Sequence, residues 1–83
     1  MKTEALEGII LGFVRDDLRV RDEAITRETE LVSEGLIDST DLVLLATYLE
    51  RTLDLEIPDE DISVDNFDSV AMILDYVERK LGS

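Results

Sequence analysis

Apolar residues recur along this chain at three- and four-residue steps, the spacing that lines one face of an α-helix. In the first such stretch, about Thr3 to Leu18, the residues Leu6, Ile9, Ile10, Phe13 and Val14 share a face. Thr3 is placed to cap its start; Glu4 and Glu7 suit the positive end of the helix dipole, and Arg19 and Arg21 the negative end. Gly8 and Gly12 weaken the helix slightly, and their spacing suits close packing against a neighbour. A second helix is predicted over Ser39–Leu53, with Leu42, Leu45, Ala46, Leu49 and Leu53 inward and Val43 and Leu44 beside that stripe, partly toward solvent. Asp38 precedes it, and Asp38 with Asp41 has the D-x-x-D form of an acidic capping box. Pro58, with Asp54, Glu56 and Asp59 around it, marks the following loop. Ile62 and Val64 predict a brief third helical turn. The last helix opens at Phe67 with Asp68 or Ser69 as cap, runs on Val70, Ile73, Leu74, Val77 and Leu81, and stops at Gly82.

Between the first two helices, from Val20 to Ile37, the period fails. Asp22, Thr26, Thr29 and Ser33 are turn and cap formers, and Ile25, Leu31, Val32, Leu36 and Ile37 are scattered among them. A connection this long is unusual in a compact domain and often has a role. It reads as an ordered loop pinned by its apolar residues, with room for one short helical turn. No segment alternates cleanly and no two-residue hairpin signal occurs. The expected fold is therefore all-α: a four-helix bundle of three main helices plus a short third helix, forming one domain over residues 1–83. The core is expected from Leu6, Ile9, Ile10, Phe13, Leu42, Leu45, Ala46, Leu49, Ile57, Ile62, Val70, Ile73, Leu74 and Val77. A chain of this mass folds to a surface of roughly 5,000 Å² from roughly 13,600 Å² unfolded, enough for one thin core and little room for an enclosed catalytic chamber.

Composition narrows the function. The chain has no Cys and no His, which excludes disulfides, a thiol nucleophile, Cys-based zinc sites and the commonest general base. No apolar run reaches membrane-spanning length and no signal peptide is visible, so a soluble, cytoplasmic protein is expected, without membrane association. The net charge is −13. Residues 1–33 carry −3, residues 34–68 carry −10 with Arg51 as their one base, and residues 69–83 balance. Such a surface repels nucleic acid and anionic lipid and attracts basic protein surfaces. A solvated acidic face and a docking surface both account for the run.

One six-residue stretch carries candidate chemistry: Gly35-Leu36-Ile37-Asp38-Ser39-Thr40. It brings a flexible Gly, two apolar anchors, then an acid and a hydroxyl at a helix start. Ser39 would sit at the first helical position with its hydroxyl outward, where free backbone N–H groups and the dipole favour a phosphate ester. Asp38 beside it offers carboxylate oxygen to a divalent cation. Taken alone, an Asp-Ser pair is more often an ordinary helix cap. Asp68-Ser69 is such a pair; it lacks the Gly and apolar residues in front, so a capping role is expected for Ser69. Asp59, Asp61, Ser63 and Asp65 have the odd spacing of a calcium loop, but Val64 and Val70 stand where its Gly and Glu belong, which rejects that site. Tyr48 and Tyr76 read as core-edge aromatics.

Gly35 to Thr40 resembles the attachment motif of acyl carrier proteins and the related peptidyl carriers. The similarity extends to the chain length, the acidic second helix, Glu56-Ile57-Pro58-Asp59-Glu60 after it and the final helix from Phe67 to Val77. The resemblance implies that Ser39 carries 4′-phosphopantetheine, installed from coenzyme A by a Mg²⁺-dependent phosphopantetheinyl transferase, with Asp38 assisting. It implies a carrier without catalytic residues of its own, acting as a stand-alone monomer that tethers acyl intermediates as thioesters. The partners would be a loading ligase and the synthase or transferase enzymes of fatty acid, polyketide or related biosynthesis, with basic docking surfaces. Thr40 departs from the usual large apolar residue, and Leu44 from the acid that fatty-acid carriers often place there. Thr40, Asp41, Val43, Leu44 and Glu50 are therefore the expected partner-binding residues: an apolar patch rimmed by acids, or in the plainer reading isolated surface side chains. Two alternatives stay open: an aminoacyl or peptidyl carrier of a nonribosomal pathway, and an unmodified acidic interaction module. A hydrolase using Ser39 is poorly supported, because no His or Lys base stands near that residue in the sequence.

Overall fold

The computed structural model describes residues 2–18, 20 and 25–82. Among the described residues four α-helices follow in chain order: α1 (Thr3–Gly12), α2 (Ser39–Leu53), α3 (Val64–Phe67) and α4 (Val70–Gly82). Among the described residues there is no strand, and no helix is long and apolar enough to cross a membrane. The folded surface is 5112 Å², close to the area that mass scaling gives. The all-α expectation of three main helices and a short third one holds.

The apolar periods become the core. Leu6, Ile10, Phe13 and Val14 from the first helix meet Leu42, Leu45, Ala46 and Leu49 from α2 and Val70, Ile73, Leu74, Tyr76 and Val77 from α4, all buried. Phe67 of α3 is fully buried beneath them, its ring 5.3 Å from that of Tyr76. Phe13 stacks on Tyr48 at 4.5 Å between centroids, joining α2 to the first helix. Helix α1 packs against α4, and Thr3 Oγ1 donates to Glu78 Oε2 at 2.6 Å across that seam.

Several local expectations are corrected. Lys2, not Thr3, occupies the N-cap of α1; Thr3 is the first helical residue and spends its hydroxyl on Glu78 instead. The first helix does continue past Gly12, but as a π-helical turn over Phe13–Asp17 rather than as α-helix. A Cβ on Gly8 or Gly12 would meet nothing within 4 Å, so neither glycine serves a close approach. Ile9 and Ile62 are half-buried rather than core, and Leu81 is exposed on the outer side of α4. Phe67 closes α3 instead of opening the last helix. Ser69 caps that helix, its Oγ accepting from Met72 N at 3.2 Å, while Asp68 turns elsewhere. Helical geometry runs through Gly82. Arg19, Arg21 and Asp22 lie outside the described residues.

Candidate functional site at the start of α2

The long connection is held by its apolar residues, as the pattern predicts: Val20, Ile25, Leu31 and Ile37 are all buried. Its last part is a single helical turn with a glycine stop. Gly35 N donates to Val32 O at 2.9 Å and Leu36 N to Leu31 O at 2.8 Å, with Gly35 at φ 79°. This paired pattern closes a helix through a left-handed residue, and an L side chain is strained there. Leu31 O also accepts from Ile37 N at 3.1 Å. The chain is thus delivered to Asp38 in a fixed position, with Ile37 driven into the core.

Asp68 supplies the other half of that fixing. It is 4% exposed, and its carboxylate accepts from Val32 N at 2.8 Å, Ser33 N at 3.0 Å and Ser33 Oγ at 2.6 Å. Its own carbonyl accepts from Leu31 N at 2.5 Å. Burial pushes the Asp68 carboxyl up, but the hydrogen bonds from Ser33 and Val32 outweigh it and hold the group below its ordinary 3.8. Sequence reasoning missed this role. The Asp-Ser dipeptide looks like a local cap, and the partners are about 35 residues away in the chain, so no local spacing announces them.

Helix α2 begins as predicted. Asp38 is extended at φ −116°, its Oδ1 accepts from Asp41 N at 3.0 Å, and Asp41 Oδ2 accepts from Asp38 N at 3.1 Å. The reciprocal capping box fixes where the helix starts. Ser39 is therefore the first helical residue, and it is exposed. Among the described residues, no hydrogen bond engages the Ser39 hydroxyl, and no acceptor meets the N–H groups of Ser39 and Thr40. An unengaged hydroxyl beside open amides at a positive helix end suits a phosphate ester.

The expected docking residues are arranged less uniformly. Thr40, Val43 and Leu44 are exposed on the outer side of α2, Val43 and Leu44 each at 51%. Asp41 is half-buried and committed to the capping box. Glu50 is also half-buried, and its Oε2 accepts from Ile57 N at 3.0 Å. That bond pins the loop after α2, so Glu50 does not form an open acidic rim to the patch. In the acidic loop that follows, Asp61 Oδ2 accepts from Tyr76 OH at 2.6 Å. Burial first, then this bond, raise the Tyr76 phenol above its ordinary 10. Among the described residues no group of acids has the arrangement of a metal site.

Comparison with known proteins decides what this serine-bearing helix start belongs to. The family described as "Phosphopantetheine attachment site" matches residues 9–77. The chain belongs to the phosphopantetheine-attachment family, as an acyl carrier protein. An acyl carrier protein of Syntrophobacter fumaroxidans is 35% identical over 79 residues, covering 95% of both chains. One from Clostridium perfringens is 36% identical over 64 residues, 77% of this chain and 82% of its own. One from Coprothermobacter proteolyticus is 31% identical over 81 residues, 98% of this chain and 96% of its own. The prosthetic group of this family is 4′-phosphopantetheine, and its members are carriers rather than catalysts. As family members they act with synthases and a phosphopantetheinyl transferase.

Proposed function

We propose that Ser39 is the residue that carries the 4′-phosphopantetheine arm, and that the loaded chain tethers acyl intermediates as thioesters for biosynthetic enzymes of the fatty acid or polyketide kind. The observation that supports this most is the exposed Ser39 hydroxyl, unengaged by the described residues, at the capped start of α2 within the motif. In the loading step the Ser39 oxygen forms a bond to the phosphopantetheinyl phosphorus of coenzyme A. The bond from that phosphorus to the nucleotide breaks, 3′,5′-ADP leaves with the electron pair, and the hydroxyl proton passes to a base of the transferase or to water. Bound there, the arm supplies a thiol, which this chain lacks. The chain's own contribution is positional. Asp38 uses one carboxylate oxygen to cap α2 and has a second to offer the transferase's Mg²⁺. The amides of Ser39 and Thr40, at the positive end of α2, would be available to hold the phosphate.

The single domain spans residues 1–83 and works in the cytoplasm, where coenzyme A and the loading ligase are available. Acyl cargo is favoured over aminoacyl cargo because the relatives that match along nearly the whole chain bear the name acyl carrier protein. The test is intact-mass measurement after incubation with coenzyme A, Mg²⁺ and a broad-specificity phosphopantetheinyl transferase. One phosphopantetheine is expected on the wild type, none on Ser39→Ala and one on Ser69→Ala. An unmodified wild type would reduce the chain to an acidic interaction module.

A further inference from the structure

Asp68 stands at the joint between α3 and α4, with Phe67 and Val70 fully buried on either side of the Asp68-Ser69 pair. It is a fixed post, and what it holds is the turn of residues 30–35. That turn is closed by Glu34 N on Glu30 O and Gly35 N on Val32 O, both at 2.9 Å. The start of a helical turn leaves its first N–H groups without internal acceptors. Here the N–H groups of Leu31, Val32 and Ser33 all end on Asp68. The first donates to its carbonyl and the other two to carboxylate Oδ1, while the Ser33 hydroxyl donates to Oδ2. A cap is usually supplied by the residue just before the turn; this one comes from across the fold. The adjoining residues repeat the contact. Ala71 N, in the first turn of α4, donates to Arg27 O at 2.9 Å, and Arg27 Nε donates to Glu7 Oε1 of α1 at 2.7 Å.

The capping box of Asp38 and Asp41 decides which residue opens α2, but both partners belong to the helix start and move with it. The place of that start against the core is set from outside. Downstream, Leu42 is the first buried residue of α2. Upstream, Ile37 is buried and its N–H is held on Leu31 O, while the N–H of Leu31 itself sits on Asp68. Among the described residues, no other hydrogen bond ties residues 31–37 to the rest of the chain. A short path therefore runs from Asp68 through Leu31, Ile37 and Asp38 to the Ser39 oxygen. We infer that Asp68 is a positioning residue for arm installation: through the turn of residues 31–37 it sets where α2 begins, and hence where the Ser39 oxygen is offered to the transferase. The inference rests on the reading of Ser39 as the loading site. At 4% exposure the Asp68 side chain is out of the transferase's reach, so its effect on loading passes through the turn.

Loading kinetics with coenzyme A, Mg²⁺ and a broad-specificity phosphopantetheinyl transferase would compare wild type, Asp68→Ala, Asp68→Asn, Ser33→Ala and Leu6→Ala. The temperature is one at which circular dichroism shows each chain folded. Leu6→Ala opens a cavity under α1 at a comparable loss of stability and breaks no bond of the turn. The transferase acts on chains whose helix start is in place, so KM rises as that fraction falls, and kcat holds because Asp68 does not reach the reacting atoms. Asp68→Ala should raise KM about tenfold and Ser33→Ala about threefold. Asp68→Asn keeps an oxygen for the two amides, and its NH₂ can donate to the Ser33 hydroxyl, so KM should stay within about twofold of wild type. Leu6→Ala should leave KM unchanged. Amide hydrogen exchange on the chain without its arm gives a second readout. In Asp68→Ala, the amides of Leu36, Ile37 and Asp41 should exchange faster relative to those in the body of α2, whereas Leu6→Ala should keep the wild-type ratio. Unchanged KM in Asp68→Ala and Ser33→Ala overturns the inference, and so does an unchanged exchange ratio. An equal rise of KM in Leu6→Ala also overturns it, because loading would then follow stability alone. Should Asp68→Ala not fold, Ser33→Ala decides. A wild type that accepts no arm removes the Ser39 reading and the inference with it, a different result from variants that load with unaltered KM.

Discussion

Removing the Asp68 carboxylate should cost more stability than any surface change to this acidic chain. The group is 4% exposed and holds two backbone N–H groups and one hydroxyl of the loop that leads to Ser39. Each hydrogen bond to a charged group contributes about 1.5–3 kcal/mol, and the three are not additive. The Ser33 donors regain water if the loop lifts, whereas the half-buried Val32 N–H regains less. Asp68→Ala should therefore lose about 3 kcal/mol. An 83-residue domain has about 4–12 kcal/mol in all, and the loss would lower Tm by about 12–24 °C. Urea unfolding followed by circular dichroism measures it. Ser33→Ala should cost about 1 kcal/mol in the wild type and almost nothing in the Asp68→Ala background, because the two share bonds. The carboxyl is held below 3.8 in the folded chain. Its stabilisation is therefore present above that value and disappears as pH falls through the lower folded pKa, so the gap between wild type and variant should close in acid. A loss below about 1 kcal/mol at neutral pH, or a gap that widens in acid, would refute the clamp.

Gly35→Ala meets no side chain and tests conformation alone: at φ 79° the cost should be about 1–2 kcal/mol in urea unfolding, and a neutral result would mean that the turn is not held left-handed. Tyr76→Phe deletes the bond to Asp61 and should lose about 1 kcal/mol; alkaline titration of the wild type should show the Tyr76 phenol ionising above 10. Self-repulsion at −13 should be relieved by screening, so the thermal midpoint at neutral pH should rise from low to moderate NaCl. A flat response would mean that the acids are too dispersed to repel.

Legibility in the sequence followed the range of the interactions. The bounds of α2 and its capping box could be read from residues three apart, because a cap is a local bargain between a side chain and nearby amides. In the sequence Gly35 reads only as a flexible residue of the motif; that it stops a turn in the left-handed region, at φ 79°, comes from the structure. The N-terminal cap was misplaced because Thr3 had a rival partner, Glu78, at the other end of the chain. Asp68, Glu50 and Tyr76 were opaque in the same way. Each bonds a group between 7 and 36 residues away, where helix periodicity carries no information. The half-burial of Ile9 and Ile62 and the exposure of Leu81 show the limit of a helical stripe. It marks which side faces inward, but the neighbouring helices decide how far the cover extends. At the candidate site the motif was legible residue by residue, but the acidic rim expected from Asp41 and Glu50 was not: both carboxylates accept from backbone N–H groups instead. Val43, Leu44 and Thr40 stood out, while the withdrawal of Glu50 to Ile57 needed the fold.

The most direct test locates the arm. After loading from coenzyme A, proteolysis and tandem mass spectrometry of the peptide that contains Asp38, Ser39 and Thr40 should place the phosphopantetheine on Ser39 and leave Ser33, Ser63 and Ser69 unmodified. An arm found on another serine or on Thr40, or a peptide of unchanged mass, would contradict the account.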